Sequence, residues 1–280
     1  MSAALRRIWL CADDYGISPS VNSAIRELIL RGRLNATSVM TAAPHNDAKE
    51  ASALARLNSG GKHAAIGLHV TLTAPFKPLS ENFAPLRDGL FLPVQTMMRR
   101  AMVRRLNAER LVREVAHQVQ AFIKAFGRPP DFIDGHQHVH LFPQVRDAVL
   151  RVAAEMAPKA WVRQCGRARS AQRLKGRKEL LLDILSVRFR RKARRLGIAV
   201  NPAFAGAYDF NGKRAFATIF PRFLTGLPDG GLIMCHPGFV DAELERLDSL
   251  TYQREREFAY FNSDEFPKAL AEHGAALAPA

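Results

Sequence analysis

The chain has few cysteines, no long apolar run and a shortage of acidic residues, and each of these excludes something. Its three cysteines in 280 residues, Cys11, Cys165 and Cys235, are an odd number and widely spaced, with no Cys-x-x-Cys pair, so neither a disulfide framework nor a thiolate metal site is expected. Two of them sit in apolar strand-like runs, where a free thiol behaves as a small hydrophobe, and a reducing, cytoplasmic compartment follows. No apolar run approaches the roughly 20 residues that cross a bilayer. Residues 1–10 carry two arginines but no long apolar stretch, so no secretory signal is expected. Repeats, low-complexity tracts and interdomain linkers are absent. With 48% hydrophobic and 24% charged residues the composition is that of a globular protein, and one α/β domain is the economical expectation.

The acidic deficit, 26 Asp and Glu against 41 Lys and Arg, is local. Residues 163–195 carry a net +11 and residues 97–113 a net +5, one more than the +15 of the whole chain. Everything else is near neutral. No recognised nucleic-acid motif accompanies the excess, so no nucleic-acid partner is expected. An amphipathic basic helix over 178–196, with Leu182, Leu185, Phe189, Ala193 and Leu196 along one side, raises instead a peripheral contact with anionic membrane.

Strand-like and helix-like segments alternate, which predicts an α/β fold with a mainly parallel sheet. After the first strand, Ser18-Pro19 reads as helix cap and first helical position, Val21, Ile25, Leu28 and Ile29 as the apolar stripe, and Gly32 as the stop. Strands are expected at 36–41, 64–70, 160–163, before His236, and near 257–261. Helices are expected at 47–57, from 97 to 126, at 143–156, 178–196 and 214–224, and after Ser263. Pro75, Pro78, Pro85 and Pro93 make 72–92 irregular, and 202–212 reads as loop.

Four of the strands carry a carboxylate or imidazole at or near one end. Ile8-Trp9-Leu10-Cys11-Ala12 runs into Asp13-Asp14-Tyr15-Gly16. Adjacent strand residues face opposite ways, so both carboxylates serve one site only if the strand ends there. One can then ligate a metal while the other takes a proton from activated water. Ile66-Gly67-Leu68 leads to His69. Phe132-Ile133-Asp134-Gly135-His136-Gln137-His138-Val139-His140 holds three alternating histidines, which in an extended chain share one face. A catalytic ion keeps about three protein ligands, so Asp14, His69 and one of these, His136 being nearest the strand, make a candidate set. Asp134 is placed to orient an imidazole through its second nitrogen. His236, before Pro237-Gly238, is open between fourth ligand, general acid and satisfied buried histidine.

Together, Ala12-Asp13-Asp14-Tyr15-Gly16-Ile17-Ser18, Ile66-Gly67-Leu68-His69, Asp134-Gly135-His136-Gln137-His138-Val139-His140 and Met234-Cys235-His236-Pro237-Gly238 resemble the YdjC-type carbohydrate deacetylase family. The resemblance covers about 7–277. It implies a single-domain distorted (β/α) barrel spanning 1–280, within which 97–126 and 164–197 read as helical basic insertions. It further implies one divalent metal and removal of an N-acetyl group from an amino sugar, on an oligosaccharide or a lipid-linked glycan. On that resemblance Asp14, His69 and His136 are the metal ligands, Asp13 the base and His236 the acid, a pair that begins in opposite protonation states. Asp134, His138, His140 and Arg163 are expected to support them or to contact substrate. Tyr15 stands where the family often has Phe. The ligand types fit zinc or magnesium first, and also manganese, cobalt or iron. The basic segment is similar to that of a subgroup associated with hopanoid lipid synthesis, which implies an acetylglucosaminyl lipid as substrate. The alternatives are a non-catalytic sugar- or lipid-binding protein on the same fold, or a metal-dependent hydrolase of another ester or amide. Oligomeric state, monomer or homo-oligomer, is left open.

Overall fold

Strand β1 (Arg6–Tyr15) is buried on both faces from Leu10 onward, as the central strand of a parallel sheet must be. The computed structural model describes residues 5–61, 63–168 and 177–280. Arg169, Arg173 and Lys175 of the basic segment lie outside these, as do the side chains of Arg177 and Lys178. After β1 the sheet is built from β2 (Ala36–Val39), β3 (Ala65–Val70), β4 (Phe132–Gly135), β5 (Trp161–Val162), β6 (Phe204–Ala205) and β7 (Leu232–Cys235). The spatial order is β5-β4-β3-β2-β1-β7-β6, every pair parallel, and β8 (Ala275–Leu277) pairs with the first residues of β1. The sheet curls into an open half-barrel. Val162 donates its N–H to Ala199 O and Phe204 to Gly166 O, at 2.9 and 3.0 Å, so the chain beyond one edge strand reaches the other.

Helices cover the outside. They are α1 (Pro19–Leu30), α2 (Ala48–Arg56), α3 (Val94–Met102), α4 (Ala108–Phe126), α5 (Val145–Met156), α6 (Arg177–Arg195), α7 (Phe216–Leu224), α8 (Ala242–Leu247), α9 (Tyr252–Asn262) and α10 (Glu265–Glu272). Ser18 caps α1 as its sequence requires, its hydroxyl accepting from the Val21 N–H. One continuous apolar core runs between sheet and helices, so this is a single-domain α/β fold of distorted-barrel type. Among the described residues no helix is long and apolar enough to cross a membrane.

The sequence patterns differ from the fold in several places. The helical region from 97 to 126 is two helices, broken where Arg104 adopts a left-handed φ of 56° and Asn107 caps α4. The 202–212 loop contains β6. The expected strand at 257–261 is the end of α9, where Phe258 and Phe261 are buried at helical spacing and Arg254 and Glu257 are buried with them. Aromatic content suggested a strand, but tertiary burial decides. Leu196 does not join the buried stripe of α6 and is 45% exposed.

One close approach fixes the sheet near the site. A Cβ on Gly67 would sit 2.4 Å from the Phe132 ring, which itself stacks on Trp161 at a centroid distance of 4.5 Å. Glycine before Leu68-His69 is therefore what lets β3 and β4 hold His69 opposite Asp134 in register.

Candidate metal centre and active site

The Asp13-Asp14 pair does not lie beyond the strand, as its geometry suggests from sequence. β1 continues to Tyr15 and kinks inside the pair: Asp14 has φ 69°, and the register against β2 shifts between Ala12 and Tyr15. A bulge of this kind re-aims a side chain beside a site, and Asp is one of the few residues that tolerates the left-handed region. Both carboxylates consequently line one cleft of about 510 Å³, together with His69, His136, His138 and His236. The cleft sits at the carboxyl edge of the strands, where α/β barrels place their chemistry.

Asp14, His69 and His136 form a close cluster. His69 Nε2 lies 3.3 Å and His136 Nδ1 3.1 Å from Asp14 Oδ1, and one donor atom from each residue falls within 4.8 Å of the other two. Ligands about 2.0–2.1 Å from a tetrahedral ion stand roughly 3.3 Å apart, so the spacing fits a small divalent cation. On its other side His69 donates Nδ1–H to Asp134 Oδ1 at 2.6 Å, the outer partner that fixes a ligating imidazole. Burial would lower the His69 pKa, but Asp134 and Asp13 outweigh it and push it up to about 10. Burial likewise opposes ionisation of Asp14, yet Arg254, with Nη2 2.7 Å from Asp14 Oδ2, brings the carboxyl well below its ordinary range.

Asp13 is held differently. Arg163, fully buried, donates from Nη1 and Nη2 to the two Asp13 oxygens at 3.0 and 2.9 Å and also ion-pairs with Asp134 Oδ2. Cys11, Asp13 and Asp134 also cluster as potential ligands, but the Arg163 guanidinium already ion-pairs with both carboxylates. Burial, with Asp13 next to it, raises the Cys11 thiol pKa well above its ordinary value. A cation there would meet a fixed positive charge. Arg163 is absent from the cleft lining, so it positions Asp13 and Asp134 and does not face substrate.

The three histidines after β4 do not alternate along an extended chain. They occupy a tight 3₁₀ turn, His136–Leu141, in which Gln137 and His138 are left-handed with φ 52° and 59°. Gly135 permits the fold-back, since a Cβ there would strike the His140 ring at 2.9 Å. The turn separates the three. His136 meets Asp14, and the Phe76 ring packs edge-on against it. His138 faces the cleft and lies 3.6 Å from Cys165 Sγ. His140 is buried beneath, with Nε2 2.9 Å from Arg163 O, and burial takes its pKa down to about 3.

His236 follows β7 across the cleft. Its backbone N–H donates to Glu257 Oε2 at 2.6 Å, and its ring Nδ1 is buried with no hydrogen-bond partner among the described residues. Burial, with Arg254 adding to it and Asp14 and Asp13 opposing, lowers its pKa to about 4. Burial thus favours the neutral ring in the unliganded site. Glu257, raised to about 7 by burial, also accepts from Tyr208 Oη at 2.6 Å.

Arg254, Asp248, Glu257 and Ser38 carried no sequence signal. Arg254 bridges Asp14 and Asp248, each at 2.7 Å, from a helix some 240 residues along the chain from Asp14. Ser38 Oγ lies 3.3 Å from Asp13 Oδ1 and 3.0 Å from His69 Nδ1. A buried arginine looks like a surface arginine until the fold is known.

Fold and site thus define an α/β half-barrel with a carboxylate–histidine cluster at its strand ends. A family model described as YdjC-like protein matches residues 7–272, and the chain belongs to that family. It is 30% identical over 267 residues to a chitooligosaccharide deacetylase from Salmonella paratyphi B, covering 94% of this chain and 93% of the relative. A protein of the same name from Escherichia fergusonii is 33% identical with the same coverage. Among solved structures it resembles an Enterococcus faecalis protein linked by name to cellobiose-phosphate cleavage, with TM-score 0.72, 22% identity and coverage of 98% of this chain and 97% of that one.

Arg163→Met should destabilise the protein by roughly 3–5 kcal/mol, because it strands two buried carboxylates. Adding Asp13→Asn and Asp134→Asn should recover part of the loss. Urea unfolding of the single and triple variants measures both, and a single-variant loss under ~1 kcal/mol would show that the guanidinium is not what holds the pair.

Proposed function

We propose that this protein is a metal-dependent hydrolase that removes the N-acetyl group of an N-acetylated amino sugar. The carrying observation is the Asp14–His69–His136 cluster opening on a cleft that also presents Asp13 and His236. Family membership supports the reaction class, since the relatives at 30 and 33% identity are named chitooligosaccharide deacetylases. Asp14, His69 and His136 would hold the ion, and the donor set favours zinc, with manganese, cobalt, iron or a more hydrated magnesium compatible. A bound divalent ion supplies Lewis acidity, which activates water and polarises an amide carbonyl.

The chain's own residues do the rest. Asp13, fixed by Arg163, accepts a proton as the water oxygen attacks the acetyl carbon. The C–N bond then breaks, and His236 delivers a proton to the departing amine nitrogen while acetate leaves. Because burial keeps His236 neutral at rest, the proton it hands on is taken up from solvent after substrate binds, and Asp13 returns the proton it accepted to solvent when acetate has left. Asp134 keeps His69 oriented, and His138 lines the cleft where substrate enters. The three cysteines are buried and form no disulfide, which suits a reducing, cytoplasmic setting.

Elemental analysis paired with acetate release from N-acetylated oligosaccharides and glycolipids tests this reading. Alanine at Asp14, His69 or His136 should remove both the ion and the activity, whereas His138→Ala should retain the ion. Asp13→Asn should keep the ion and lose ~10²–10⁴ in rate. Full metal occupancy in the His136 variant, or a wild-type rate in the Asp13 variant, would contradict the assignment.

The pH dependence of metal loading has a definite sign. His69 carries a proton below its raised pKa of about 10, and a ligating imidazole must lose it. Metal affinity should therefore climb by up to ~10-fold per pH unit from neutrality toward pH 9. Calorimetry in buffers of different ionisation enthalpy reads the released proton, and a flat affinity with no proton release is the contrary result.

A further inference from the structure

We infer that the outer face of α6, with the α3–α4 corner beside it, is a docking surface for an anionic lipid bilayer. Helix α6 buries Leu182, Leu185, Phe189 and Ala193 against the core. Its opposite side is not polar, as a solvated helix would have it. Leu180 is 57%, Ile184 53% and Val187 37% exposed, and the same stripe continues into exposed Arg188, Arg191 and Arg195 at helical spacing. These arginines have no ion-pair partner among the described residues, whereas Lys192 next to them is paired with Asp147 at 2.7 Å.

The second basic segment comes up to the C-terminal end of α6 through Arg104. Met102 and Val103 are 48% and 63% exposed, among exposed Arg99, Arg100, Arg104 and Arg105. Arg104, Lys192 of α6 and Leu196 just beyond that helix line one open groove of about 400 Å³. The acids in that groove are already engaged, Glu109 and Glu155 by Arg151 and Asp147 by Lys192. Thus Arg104 of the second basic segment and the C-terminal end of α6 meet at one groove, and the described part of each segment has apolar side chains standing out among its arginines.

That mixture matches the headgroup–acyl boundary, where apolar side chains insert and cations meet anionic headgroups. A nucleic acid would use the arginines but leave Leu180, Ile184 and Val187 in water. The surface is also close to the cleft. Val94 and Gln95 at the start of α3 line it, about 11 Å along the helix from Met102 at 1.5 Å per residue. Phe189 of α6 packs edge-on against His140 of the histidine turn, with centroids 5.6 Å apart. A bilayer held there brings a lipid-linked amino sugar within reach of Asp13 and His236, a consequence that rests on the deacetylase reading; the docking itself does not.

Co-sedimentation of the full chain with phosphatidylglycerol-containing and pure phosphatidylcholine vesicles, at low and high salt, tests the proposal. Wild type should bind the anionic vesicles and release in high salt. The triple variant R188Q/R191Q/R195Q should partition ~100-fold more weakly, at roughly 5-fold per cation. L180Q/I184Q/V187Q should also lose ~10-fold or more, and both should release acetate from a soluble N-acetylated oligosaccharide as wild type does. Binding that ignores lipid charge or salt, or survives both triple variants unchanged, overturns the proposal. So does a mobility shift with single-stranded RNA in the absence of vesicle binding, or a dimer in sedimentation velocity that the apolar variant abolishes. Vesicle binding with no acetate release from any sugar supports docking and sinks the deacetylase reading instead.

Discussion

Three carboxylates buried at the ends of parallel strands set the terms for the rest of this structure. Asp13, Asp14 and Asp134 are each 2% exposed or less. Isolated charges in such a place would cost several kcal/mol apiece, so each must be matched. Arg163 answers Asp13 and Asp134, Arg254 answers Asp14, and His69 lies between Asp134 and Asp14. The partners come from β3, the chain after β5 and α9, so the site assembles only when distant parts of the barrel close around it.

That balance explains the division of labour. Asp13 and Asp14 are neighbours in sequence, yet the left-handed turn at Asp14 gives them different surroundings. Asp14 faces two imidazoles, which suits a ligand. Asp13 faces a guanidinium that holds both its oxygens in place, which suits a group that must stay oriented while protons move. A comparable asymmetry separates the histidines: one turn sends His136 to Asp14, His138 to the cleft and His140 into the core.

The fold was largely legible because its signals are local. Alternating strand and helix patterns, the Ser18-Pro19 cap and the proline-broken 72–92 segment all reflect short-range preferences that the packing respects. Failures came where long-range packing overrode local pattern. The aromatic run at the end of α9 looked like a strand until burial of Arg254 and Glu257 required a helix. The alternation of His136, His138 and His140 implied one face, but Gly135 lets the chain fold back at that point. At the site, residues that bring unusual chemistry to strand ends could be read from sequence. Their counter-charges could not: Arg254 and Glu257 sit in an ordinary charged stretch, and only the fold turns that stretch inward.

Everything proposed for this site turns on a divalent ion held between Asp14, His69 and His136. Anomalous diffraction from crystals grown with zinc, collected on either side of its absorption edge, locates such an ion without reference to activity. One strong peak is expected, bounded by Asp14, His69 Nε2 and His136 Nδ1, with Asp13 close by and still held by Arg163. A peak among Cys11, Asp13 and Asp134, or no peak at the Asp14 cluster in metal-replete crystals, would contradict it.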